Sequence, residues 1–215
     1  MTEQLPASVY PARLEIDYPD QHDRVTTPFR VFLVIPIAIV IGVLTTGATE
    51  TVYNQSGQVV RESSGGISTG LFLATLLMVH FARRYPRWWF DFAAELARFG
   101  TRIGAYVALL TDQYPSTVDE QSVHLQIDYP DVERDPNQWL PLVKWLLAIP
   151  HFIVLAVLSL VTFFAVLIAR FTILFTGRYP RGLFDFVVGV ARWWLRVQAY
   201  ATLLVTDRYP PFSLT

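Results

Sequence analysis

Arg178-Tyr179-Pro180-Arg181-Gly182-Leu183-Phe184-Asp185-Phe186 already stands earlier in the chain, as Arg84-Tyr85-Pro86-Arg87-Trp88-Trp89-Phe90-Asp91-Phe92. The alignment runs on through Arg98, Arg102 and Tyr106 against Arg192, Arg196 and Tyr200, and at the constant offset of 94 it holds 12 identities in the 23 positions 84–106. Ile16-Asp17-Tyr18-Pro19-Asp20 returns as Ile127-Asp128-Tyr129-Pro130-Asp131 at offset 111, and Arg30 and Pro36 return as Lys144 and Pro150 at offset 114. Thr111-Asp112-Gln113-Tyr114-Pro115 returns as Thr206-Asp207-Arg208-Tyr209-Pro210 at offset 95. The chain therefore reads as two tandem copies, 1–116 and 117–215, the first longer by about twenty residues at 46–66.

Composition puts this duplication in a bilayer: 53% hydrophobic, 14% aromatic, only 16% charged, with mean hydropathy +0.36. Val31–Thr49 and Ser63–Ala82 carry no formal charge over 19 and 20 residues, which predicts spans at about 30–48 and 66–83. Trp145–Gly177 runs 33 residues interrupted only by Arg170, long for one span and tight for two; repeat symmetry favours two, at about 140–158 and 161–177, with one long helix as the alternative. Of 17 Lys and Arg, 15 lie before the first span, between the second and third, or after the fourth. The positive-inside rule makes those regions, and both termini, cytoplasmic. Met1–Thr27 lacks the basic start and apolar core of a cleaved signal peptide, so the first span is expected to target the protein itself. Absence of cysteine excludes disulfides and thiolate chemistry.

Seven of ten tyrosines precede proline, and each Tyr-Pro marks a corner where one element stops. Alternating Leu14 and Ile16, and Val123, Leu125 and Ile127, predict short cytoplasmic strands at 12–17 and 123–128 able to pair. Residues 50–53 and 58–61 flank a polar turn and read as a β-hairpin on the outer face. Residues 88–110 and 183–205 form one amphipathic helix per copy. Asp91, Glu95, Arg98 and Arg102 follow one stripe, as do Asp185, Gly189, Arg192 and Arg196, with Trp193 and Trp194 alongside. Such helices are expected to lie in the interface, with arginines at lipid phosphates or paired with carboxylates, though a crossing orientation stays open. Tyr85, Tyr179, Trp88, Trp89, Trp193 and Trp194 suit the headgroup level. Arg170 is the intramembrane charge, either functional or snorkelling.

The motif at 178–186, the arginine-rich helix after it and the closing Thr206-Asp207-Arg208-Tyr209-Pro210-Pro211-Phe212-Ser213-Leu214 resemble the prokaryotic membrane-protein family called domain of unknown function 4389. The resemblance covers nearly the whole chain as two copies, the first departing at Trp88-Trp89, at Gln113 and in the insertion. It implies a membrane fold of the prokaryotic plasma membrane and no catalytic residue.

The expected architecture is an all-α integral membrane protein of two tandem parallel repeats. Each is a transmembrane helical hairpin plus an interfacial helix, with short cytoplasmic strands. No Gly-rich phosphate loop, activated nucleophile or ligand spacing for a metal is legible, so no cofactor, no metal, no nucleic acid and no enzymatic activity is expected. The expected role is an accessory or scaffold subunit of a larger membrane complex, or an organiser of anionic lipid, with lipids and other membrane subunits as partners. A small transporter or channel is the alternative, and a lipid-modifying enzyme acting through Asp91 or Asp185 the least supported reading.

Overall fold

The computed structural model describes residues 10–45, 49–53, 59–63, 67–78, 85–117, 119–130 and 140–215. Along the chain come β1 (Ala12–Ile16), α1 (Thr26–Leu33), α2 (Ile35–Thr45), β2 (Thr49–Tyr53), β3 (Val59–Ser63), α3 (Ile67–Leu77), α4 (Arg87–Val107), β4 (Val123–Ile127), α5 (Leu140–Leu147), α6 (Ile149–Thr176) and α7 (Arg181–Ala201). β1 and β4 pair antiparallel with Leu14 opposite Leu125, so the sheet is centred on two residues that are counterparts at offset 111. The flanking bonds repeat at the same offset: the Asp17 amide donates to the Ser122 carbonyl at 2.9 Å and the Asp128 amide to the Pro11 carbonyl at 2.8 Å. Alternation sends Ala12, Leu14, Val123 and Leu125 inward, where β1 lies along α7 and β4 along α4. Arg13, Glu15, Asp17 and Asp128 stay exposed on the sheet.

Proline sets the helix boundaries. Pro86 and Pro180 cap the N-termini of α4 and α7. Pro36 and Pro150 each follow a break of one residue, Val34 between α1 and α2 and Ala148 between α5 and α6. The amphipathic helices, expected at 88–110 and 183–205, stop at Val107 and Ala201. Beyond them Leu109 and Leu204 take left-handed backbone, φ 61° and 55°. That conformation costs an L-residue about 1–2 kcal/mol, and burial of both leucine side chains holds it.

The second half departs from the expected pair of spans. Residues 149–176 form one continuous helix without a break between 158 and 161. Leu158-Ser159-Leu160-Val161 contains neither Gly nor Pro, so nothing there turns the chain. In the first half the corresponding residues are split: α2 maps onto 149–159 at offset 114 and α3 onto 161–171 at offset 94, with the insertion between them. That insertion carries the expected hairpin, β2 pairing antiparallel with β3 and Val52 opposite Val60. Residues 46–48, 54–58 and 64–66 of it, and 79–83 of the expected second span, lie outside the described residues.

Among the described residues α6 is the helix long and apolar enough to cross a membrane. Of its most apolar 18 residues only 17% are buried, and Ile153, Val157, Phe163, Phe171 and Phe175 are exposed. A core helix of a water-soluble fold would hide that face.

Two glycines have steric duties. Gly177 ends α6 in left-handed backbone, φ 73°. Gly189, in mid-α7, is where the C-terminal tail crosses: a Cβ there would sit 2.8 Å from the Leu214 carbonyl oxygen. Gly→Ala in an open helix position stabilises by about 0.5–1 kcal/mol. Gly189→Ala is instead expected to destabilise by about 1–3 kcal/mol and to expose the tail to carboxypeptidase, whereas Gly182→Ala, whose Cβ meets nothing within 4 Å, raises Tm.

Candidate functional site

Burying a cation requires a partner and filled hydrogen bonds, and each half buries one in the same way. Arg30, 2% exposed in the last turn of α1, donates to the Thr111 carbonyl at 2.9 Å and pairs with Asp112; its guanidinium carbon lies 5.2 Å from the centre of the Tyr106 ring. Lys144, 1% exposed on α5, donates to the Thr206 carbonyl at 2.8 Å and pairs with Asp207; its ammonium lies 5.4 Å from the centre of the Tyr200 ring. Every member of one cluster is the alignment counterpart of a member of the other. The first clamps α1 to the end of α4, the second α5 to the end of α7.

The first cluster adds His22, whose Nδ1 lies 2.7 Å from Asp112 Oδ1, while the Asp23 amide donates to Oδ2 at 2.7 Å. Burial alone would raise the Asp112 pKa. The bonds from His22, Asp23 and Arg30 and the Arg30 charge outweigh it and hold the carboxyl well below its ordinary range. Beside the second cluster His151 is fully buried. Its Nδ1 accepts the Trp193 indole N–H at 3.1 Å, which places the ring proton on Nε2 because indole only donates. Its ring stacks on Phe212 with centroids 3.9 Å apart. The clusters hold helices together, with the cations buried and the Asp112 and Asp207 carboxylates reaching toward solvent.

Between the halves the contacts are exchanged. The Tyr18 hydroxyl donates to the Tyr179 carbonyl and the Tyr129 hydroxyl to the Tyr85 carbonyl. The Tyr85 hydroxyl donates to the Leu203 carbonyl at 3.2 Å and the Tyr179 hydroxyl to the Ala108 carbonyl at 3.4 Å. Burial pushes the Tyr85 hydroxyl up to about 12 and raises Tyr179 likewise. Arg181 stacks over Tyr18 and Arg87 over Tyr129.

The arginines expected at lipid phosphates face inward to backbone. Arg98 pairs with Glu95 and reaches the Leu125 carbonyl, and Arg192 donates to the Leu14 carbonyl at 2.9 Å, so each binds the strand of the other half. Arg102 donates to the Ser116 carbonyl and Arg196 to the Ser213 carbonyl at 2.7 Å. Asp91 and Asp185 are exposed in the second turns of α4 and α7, and Trp88 is 68% exposed. Trp89 donates to the Thr75 hydroxyl at 2.8 Å and Trp194 to Ser159 at 3.4 Å. Arg170 donates to the carbonyls of Thr27 and Pro28 at 3.1 and 3.3 Å, so its charge docks on the start of α1. His22, Arg30, Asp112, Lys144 and Asp207 were not singled out from sequence. The signal was present: a cation and an anion, far apart along the chain, are each retained in both copies.

The described residues form a mostly helical fold with one helix long and apolar enough to cross a membrane and an ion-pair clamp in each half. Residues 141–213 match the family described as Domain of unknown function (DUF4389), and the chain carries a domain of that family over this stretch. No curated protein and no solved structure matches the chain.

Asp112→Asn leaves Arg30 buried without its countercharge and is expected to cost about 3 kcal/mol at pH 7, read as a lower Tm in mild detergent. A carboxyl held below its ordinary value near 3.9 contributes fully above that pH and loses its contribution as pH falls further. The Tm gap between wild type and Asp112→Asn should therefore narrow below about pH 4; a constant gap down to pH 3 would place the stabilisation elsewhere.

Proposed function

We propose that the protein is a non-enzymatic integral membrane protein of the plasma membrane, two tandem copies of one domain related by a pseudo-twofold axis along the membrane normal, acting as an accessory or scaffold subunit that organises lipid at the cytoplasmic interface. One observation supports this reading: side chains hold both ends of the apolar, exposed α6 to the rest of the fold. Its start is held through His151 to Trp193, just after α5 is held by Lys144 to Asp207, and its end through Arg170 to Thr27 and through the Gly177 carbonyl, which accepts the His22 amide at 2.9 Å.

The β1–β4 sheet, whose exposed Arg13, Glu15, Asp17 and Asp128 belong in water, faces the cytoplasm. α6 lies in the cytoplasmic leaflet with its exposed apolar face toward acyl chains, and α4 and α7 lie at the interface above it. In the first half the charge-free stretches 31–49 and 63–82, which contain the mutually contacting α2 and α3, pass out and back, with the β2–β3 hairpin outside. Tyr10, whose hydroxyl donates to the carbonyls of Arg196 and Arg208, joins the two ends of the chain on the cytoplasmic face. Exposed Trp88 and Phe92 on α4 are groups available to lipid or a partner subunit. Arg170 is engaged within the fold, which favours a scaffold over a transport path.

Single cysteines at Ser56, Ser116 and Ser213 test the arrangement, since the chain has none of its own. An impermeant maleimide added to intact cells is expected to label position 56 alone. Labelling of 116 and 213 from opposite sides would mean that α6 crosses and would end the interfacial reading. Flux through proteoliposomes that is lost in Arg170→Leu would replace the scaffold with a transporter.

A further inference from the structure

Arg24, Arg178 and Arg181 are exposed around the turn from α6 into α7, and among the described residues their side chains donate no hydrogen bond within the fold. We propose that this corner binds the phosphate of an anionic phospholipid headgroup, a reading that rests on the membrane placement proposed above.

The corner is built by contacts already in the frame. Gly177 ends α6, and its carbonyl takes the His22 amide at 2.9 Å, which brings the segment before α1 across the end of α6. Arg24 then lies against Gly177 so closely that a Cβ on the glycine would stand 2.8 Å from the Arg24 Nε. Arg178 follows directly. Arg181 spreads over the Tyr18 ring, its guanidinium carbon 4.3 Å from the centre, and the Tyr18 hydroxyl holds the Tyr179 carbonyl between the two arginines. Arg170 adds a fourth charge on the same side through the carbonyls of Thr27 and Pro28.

Elsewhere the fold uses its cations. Arg13, Arg30, Arg98 and Lys144 each pair with a carboxylate, and Arg102, Arg192 and Arg196 each donate to a backbone carbonyl. The acids nearest the corner in sequence, Asp20, Asp23 and Asp185, form no ion pair with its arginines, and Asp23 Oδ1 accepts the Val25 amide. A guanidinium carries five donors in a planar fork that matches phosphate oxygens, so three such groups left unengaged suit a phosphodiester. The neighbouring surface says which phosphate. Val25 and Phe29 at the start of α1, and Phe171 and Phe175 at the end of α6, are exposed, and α1 packs on α6. Arginines set beside exposed apolar side chains at one helix end place the charge at headgroup level and the rings among acyl chains. A free phosphate would use the arginines and leave those rings in water.

The test uses the full chain in mild detergent, titrated with dioleoyl phosphatidylglycerol or dioleoyl phosphatidylcholine, with bound lipid counted by native mass spectrometry. Wild type is expected to bind phosphatidylglycerol roughly tenfold more tightly than phosphatidylcholine. Arg24→Gln and Arg178→Gln should each weaken phosphatidylglycerol roughly fivefold and leave phosphatidylcholine unchanged. Arg24 lies before α1 and Arg178 between helices, so helical circular dichroism should match wild type. Arg13→Gln removes an exposed cation from the sheet and should change neither lipid. Equal binding of the two lipids by wild type, a loss in Arg13→Gln equal to that in Arg24→Gln, or displacement of phosphatidylglycerol by an equal concentration of inorganic phosphate overturns the proposal. Carbonate extraction, run in parallel, reports on the membrane reading: a chain released from the pellet loses the placement and the site with it, whereas one that stays but shows no lipid preference loses the site alone.

Discussion

The fold depends on where four tyrosine hydroxyls put their hydrogen bonds. A helix leaves carbonyls without partners in its last turn, and a carbonyl just before its first bonded residue is also free. In α4 and α7 the ladder opens at Pro86 and Pro180, whose carbonyls accept from Phe90 and Phe184. The Tyr85 and Tyr179 carbonyls are thus the first outside it, and Tyr129 and Tyr18 of the opposite halves fill them. At the other ends the Ala108 and Leu203 carbonyls are filled by the hydroxyls of Tyr179 and Tyr85. Each helix has both ends completed by the other half, so neither half satisfies its own backbone alone. The start of each helix lies by the end of its counterpart, which aligns α4 and α7 antiparallel and leaves β1 and β4 to pair antiparallel over them.

Within that exchange the buried cations act inside each half. Arg30 and Lys144 sit one turn before the breaks at Val34 and Ala148, where Pro36 and Pro150 interrupt the helix. A short helix set off by proline has little hold on its neighbours, and an ion pair beneath an aromatic ring supplies it. The arginines of the amphipathic helices serve the same frame, with Arg98 and Arg192 donating to strand carbonyls across the halves. A helical stripe in the sequence tells that four charges share a face. It does not tell whether that face meets phosphate or a neighbouring strand, and here the strand is close enough to take them.

The same distinction separates what was legible in the sequence from what was not. Pairing of β1 with β4 follows from alternation and duplication, and the β2–β3 hairpin from two β-prone runs around a polar turn, because both are local or symmetric. The continuity of α6 was misjudged because repeat symmetry was applied to the number of helices rather than to the residues. Aligned residue by residue, α2 and α3 together make one α6, and the insertion alone divides them. The left-handed Leu109 and Leu204 were out of reach, since tertiary burial decides that conformation against the intrinsic preference of leucine. The Arg30–Asp112 clamp stood in the alignment as two separate matches, and only the fold joins residues so far apart in the chain.

Comparing the two halves of one chain separates frame from content. Positions that form the frame keep their residue type: Tyr85 and Tyr179, Arg98 and Arg192, Asp112 and Asp207, Tyr106 and Tyr200. Positions that differ sit where the halves do different things. Gly189 replaces the counterpart of Glu95 and lets the C-terminal tail cross α7 at Leu214, while Gly100 and Gly104 replace the counterparts of Trp194 and Gln198 and open a groove beside α4. In α7 the glycine makes room that the chain itself fills. In α4 the glycines make room that it does not fill, and the groove there stays open at exposed Gly104. The match to the family lies over the second half, and the insertion and the glycine-lined wall of α4 both belong to the first.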